Sequence, residues 1–156
     1  MFLLFLNFLA DVFQSLQGII TISLSALETA QGSAFKLANL EVLINTVLYN
    51  PILALHIMEV AHPGMARTFF DRWFVAINAE NKLPRVYDKK LTIVTLCALM
   101  ELNMESIPNC LRDGWFGILG CVIKMFKELP KAIQGKLIYS FFHLIGFGLI
   151  LFLGID

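Results

Sequence analysis

Four proline-marked breaks, at Asn50-Pro51, His62-Pro63-Gly64, Leu83-Pro84 and Ile107-Pro108, divide the stretch from Ala34 to Pro130 into apolar runs. Proline fixes its own φ and pushes the residue before it out of the α region, so a helix tends to end at each of these points. Between the breaks, apolar residues recur at three- and four-residue spacing, the period of a helix. Helices this apolar, joined by short turns, bury their faces only by packing on their neighbours. The pattern therefore predicts an all-α fold, an α-solenoid built as a partial array of antiparallel helix pairs.

The first helix of that middle region is expected from about Ala34 to Tyr49, with Leu37, Leu40, Ile44, Val47 and Leu48 on one face. Pro51 suits the first position of the next helix, which runs to about Val60. After the Pro63-Gly64 turn, Ala66, Phe69, Phe70, Trp73, Phe74 and Ile77 form a stripe with Arg67, Asp71, Arg72 and Asn78 opposite. Asp88 is a good N-cap for Lys89 to Leu102, a run so apolar all round that it needs cover on several sides. A helix from 107 to 129 follows, with Ile107, Leu111, Trp115, Ile118, Val122, Phe126 and Leu129 in register. Pairs then begin near residues 34, 65 and 107, close to the roughly 40-residue unit of HEAT or armadillo arrays.

The 156 residues are 58% hydrophobic with zero formal charge, and the mean hydropathy is +0.73. That is more apolar surface than a small globule usually hides, which points to an assembly, a membrane or a piece of a longer array. The balanced charge gives no electrostatic reason to expect nucleic acid. No positive residue precedes Lys36, so the opening apolar run lacks the basic start of a secretory signal, and residues 2 to 30 read as a packed helix. At the other end, Leu137 to Ile155 is an uncharged run flanked by Lys136 and Asp156, long enough to cross a hydrocarbon core of roughly 30 Å. The expected divisions are a hydrophobic helical segment at 1–33, the array at 34–134 and an apolar tail at 135–156.

The inventory of chemical groups is short. Cys97, Cys110 and Cys121 lack CxxC spacing and sit in apolar runs, as reduced core residues do. His56 and His62, six residues apart, do not share a helical face, and nothing completes a metal site with them. Glu101 and Glu105 flank a helix end and are expected in water. Gly114, Gly117 and Gly120 follow no strand and precede no Walker lysine, so close helix packing is the reading for them. The Phe69 to Phe74 aromatics read as core rather than as a peptide groove. Asp71, Arg72, Lys89 and Lys90 are left as charged candidates for partner contact. The chain is thus expected to bind rather than catalyse, with no cofactor and no metal.

Two blocks in order carry a resemblance. One is Leu40-Glu41-Val42-Leu43-Ile44-Asn45-Thr46-Val47-Leu48-Tyr49-Asn50-Pro51, with its Tyr-Asn-Pro helix break. The other starts about 35 residues later at Arg85-Val86-Tyr87-Asp88-Lys89-Lys90 and enters the apolar Leu96-Cys97-Ala98-Leu99 helix. Together they resemble the C-terminal part of importin-β-type nuclear transport receptors, in the branch of importin seven and importin eight, over about residues 34 to 133. The resemblance implies a HEAT-repeat superhelix that binds cargo proteins and nuclear pore proteins and shuttles between nucleus and cytoplasm under the GTPase Ran. In that family the main Ran-GTP site lies in N-terminal repeats, so this chain is expected to lack it, and no individual binding residue carries over.

The residues after Gln134 have no counterpart in that family. The switch at Gly135-Lys136 to an uncharged run is what a reading frame running past a splice donor would encode, and the expectation is that the tail is no part of the receptor. The alternative is a small integral membrane protein anchored by residues 137–155. These readings separate by whether the chain washes off membranes.

Overall fold

The computed structural model describes residues 2–79, 83–107, 109–112, 114 and 117–135, and among them it holds helices and no strand. Helix α1 spans Phe2–Thr29, α2 Ser33–Tyr49, α3 Pro51–Ala61, α4 Met65–Asn78 and α5 Val86–Met100. A single 3-10 turn at Met104–Ser106 and a four-residue helix α6 at Asn109–Arg112 lead on to α7, residues 117–135. The uncharged run 137–155 lies outside the described residues. Among the described ones, no helix is long and apolar enough to cross a membrane.

Local chemistry sets the first boundaries. Three residues, Ala30 to Gly32, join α1 to α2, so the two form an antiparallel hairpin. Asn50 both ends α2 and starts α3. Its backbone N–H donates to the Thr46 carbonyl at 3.1 Å, and its side-chain oxygen accepts from the Leu53 N–H at 3.0 Å. Pro51, which has no N–H to satisfy, takes the first helical position. At the next turn Gly64 adopts φ 84°, a left-handed conformation that a Cβ would strain. Glu59, from α3, closes this turn by accepting the N–H groups of Gly64 at 3.0 Å and Ala66 at 3.1 Å. A carboxylate there satisfies two donors at the start of α4 and complements the positive end of its dipole.

The helices stack in alternation, with α1 against α2 and α3, and α2 against α3, α4 and α5. Contacts of α1 with α3 join the first hairpin to the helix that follows it, and α2 reaches on to α5, so the helices pack as a solenoid-like array. From α1 the core takes Leu16, Ile20, Leu24 and Leu27, spaced for one helical face, and from α2 Leu40, Leu43, Ile44 and Val47. Two polar groups on that buried face of α2 are satisfied within the helix: Asn39 donates to the Phe35 carbonyl and Thr46 to that of Leu43. The α4 stripe enters as expected, with Ala66, Phe69, Phe70, Trp73 and Ile77 buried and Phe74 half-buried. The Trp73 indole Nε1–H donates to the Thr92 hydroxyl of α5 at 3.3 Å, so the polar tip of the largest core side chain has a partner. Helix α5 is covered on several sides, with Leu91, Thr92, Ile93, Thr95, Leu96 and Leu99 all buried, while Val94 and Met100 stay exposed.

Four expectations need correction. Asp88 does not start α5 but sits at its third position, because the helix begins at Val86, and the helix ends at Met100 rather than Leu102. The Asp88 carboxylate reaches back to accept the Arg85 N–H at 3.0 Å, which occupies a donor that the helix start leaves free. The single helix from 107 to 129 is in fact two, α6 and α7, and a turn from Gly117 N–H to the Gly114 carbonyl opens the second. Glycines lower helix propensity there, and α7 instead continues beyond Leu129 to residue 135. Phe126 does not face the core; it is 54% exposed, and Met125 points inward in its place. Gly117 and Gly120 permit no close helix approach, since a Cβ at either would meet nothing within 4 Å.

Candidate interaction surfaces

The four charged candidates are not brought together. Asp71 and Arg72 lie on the outer face of α4, where Asp71 is 3.9 Å from Arg67 across one exposed turn, too open to matter much for stability. Lys90 is exposed on α5. Lys89 turns inward instead: it is buried, and its Nζ donates to the Glu128 carboxylate of α7 at 2.9 Å. A polar group taken from water needs a hydrogen-bond partner, and this contact ties α5 to α7. Lys124 Nζ, donating to Asn78 Oδ1 at 3.2 Å, ties α7 to α4.

Sequence reasoning missed a second polar junction, between α2 and α5. Arg85 donates from Nε to Asp88 Oδ1 at 2.8 Å and from Nη2 to Glu41 of α2. Asp88 is wholly buried and Asn45 adds a long contact to the Tyr87 hydroxyl at 3.5 Å. Burial pushes the Glu41 carboxyl above its ordinary value of 4.5, the Arg85 guanidinium opposes this, and the nearby Asp88 adds to it. A carboxyl whose folded value is raised contributes stability fully below its unfolded value and loses it as pH climbs through the folded one. Against Glu41→Gln, which cannot titrate, the parent's melting temperature should therefore fall as pH rises from below 4.5. Parallel melting-temperature profiles for the two proteins would refute this.

His56 and His62 are exposed, as are Glu101 and Glu105. Among the described residues no three His, Cys, Asp or Glu side chains gather as metal ligands would. An open cleft of about 430 Å³ lies between α4 and α7, where Phe74 faces Gly117, Gly120 and Cys121. Burial pushes the Cys121 thiol above its usual value, and the nearby Lys124 opposes this. A small, partly open pocket of about 50 Å³ beside Lys89, Lys124 and Glu128 has room for a water but no substrate.

Packed helices in alternating contact, with apolar residues such as Ile22, Val60 and Phe126 left facing outward, make a solenoid-like all-α array. Over 133 residues, 81% of this chain, the sequence is 32% identical to the importin beta-like SAD2 homolog of Arabidopsis thaliana. Over 90 residues, 58% of this chain, it is 28% identical to the probable importin-7 homolog of Dictyostelium discoideum. No family model matches the chain, and no solved structure matches it significantly. Over most of its own length the chain is thus similar to proteins named as importins. The matched regions span only 12% and 8% of those two relatives' own lengths. Both names are those of importins, and neither is that of an enzyme.

Proposed function

We propose that this chain acts as part of a nuclear import receptor, a HEAT-type array that binds cargo proteins and nuclear pore proteins and moves between cytoplasm and nucleus under Ran control. The observation that carries the reading is similarity to two importin-type proteins across most of the chain. The alternating helix contacts support it, because arrays of this kind present long surfaces to protein partners. On this reading the array at 34–134 does the binding, and Asp71, Arg72 and Lys90 are the solvent-facing candidates for cargo contact. Lys89 contributes through its pair with Glu128. The main Ran-GTP site belongs elsewhere in such receptors, so the isolated chain is expected not to retain GTP-bound Ran.

Fluorescently tagged chain added to permeabilised cells tests the proposal. The expected result is decoration of the nuclear rim that added salt removes. Absence from the rim, or retention on membranes after alkaline extraction, would overturn it, and the second outcome would favour anchorage by residues 137–155.

A further inference from the structure

Helix α7 carries a second apolar face that the core formed by the described residues does not use. Leu119, Ile123, Phe126 and Ile133 are 40% to 54% exposed, and with Pro130 they form one ridge along the helix. At 1.5 Å per residue the ridge is about 21 Å long, the reach of four helical turns. The buried face, with Ile118, Val122 and Met125, adjoins it on one side. On the other side are Lys127 and Lys131, both exposed and neither paired with a carboxylate among the described residues. The one carboxylate of this helix, Glu128, is engaged by Lys89.

We propose that this ridge is a docking surface for an acidic amphipathic helix of a protein partner. An apolar stripe on such a helix would cover the four side chains, while its carboxylates would meet Lys127 and Lys131 along the single charged edge. That one-sidedness favours a helix laid alongside α7. A helix lying in a membrane surface carries cations on both edges of its apolar face, whereas here the far edge is closed by the core. The uncharged run 137–155 would leave both lysines unanswered. The proposal needs only that the chain is a protein-binding scaffold, and it holds whether or not the partner is nuclear cargo.

Two labelled synthetic amphipathic helices with one shared leucine stripe, flanked either by glutamates or by lysines, test this on the full chain by fluorescence anisotropy. At about 0.1 M salt the glutamate peptide should bind roughly tenfold tighter than the lysine peptide. The double variant Lys127→Glu with Lys131→Glu should reverse that order, and Phe126→Asp should abolish binding of both peptides. Because these positions are exposed, each variant should keep the parent's circular dichroism melt. The proposal is overturned if the peptides bind equally or not at all, or if Phe126→Asp leaves binding intact. Binding to anionic vesicles in place of the peptides would overturn it too, and so would a self-association that Phe126→Asp removes. None of these outcomes depends on the nuclear-rim experiment, so each reading fails separately.

Discussion

Leu96→Asp is expected to abolish the cooperative thermal transition of this protein, followed by circular dichroism at 222 nm, whereas Val94→Asp two residues away should leave it nearly unchanged. Leu96 is 0% exposed on α5, the helix that packs along α2 and receives the Trp73 hydrogen bond, while Val94 is 47% exposed on the same helix. A carboxylate at Leu96 must stay charged without a partner or take up a proton, and it also leaves part of the leucine volume unfilled. Several kcal/mol lost in this way is a large share of a domain stability of about 5 to 15 kcal/mol. A Leu96→Asp melt matching the parent's would show that this face of α5 is not enclosed.

Trp73→Ala should cost about 3 to 5 kcal/mol, the range for removing a large aromatic from a closed core. Trp73 is fully buried, with ring centroids 5.5 Å from Phe69, 6.0 Å from Phe70 and 6.5 Å from Phe74. Its removal opens a cavity beside Phe69, Phe70 and Phe74. Trp73→Phe separates packing from polarity: most of the ring remains, and the Thr92 hydroxyl loses its donor, for a smaller loss of about 1 to 2 kcal/mol. Urea titrations followed by circular dichroism measure both. Equal losses for the two variants would mean that the hydrogen bond, not the aromatic volume, holds α4 to α5.

Helix boundaries were legible where one residue's backbone restriction decides them. Asn50-Pro51 and Gly64 act within their own turns, through a side-chain cap, a missing N–H and a left-handed φ. The start of α5 was harder, because an aspartate suits both the N-cap and the third helical position. Its place depends on Arg85, which also reaches Glu41 from 44 residues earlier in the chain. No local signal reports a partner at that distance. The same holds for Lys89, which reads as a solvated charge until Glu128, 39 residues on, is folded against it.

The sequence by itself determined that this is a chain of helices, where most of them break, and that α4 turns an aromatic stripe inward, since these follow from φ restrictions and a 3.6-residue period. Tertiary structure alone decided which apolar face of α7 is the inner one. Its apolar residues wrap too far around the helix for the period to single out a direction, so Met125 and Phe126 are equivalent in sequence. Docking against α4 and α5, fixed by the Asn78–Lys124 and Lys89–Glu128 contacts, buries Met125 and leaves Phe126 outside. A hydrophobic stripe states how much surface must be covered, and only the arrangement of neighbouring helices settles which part of it is.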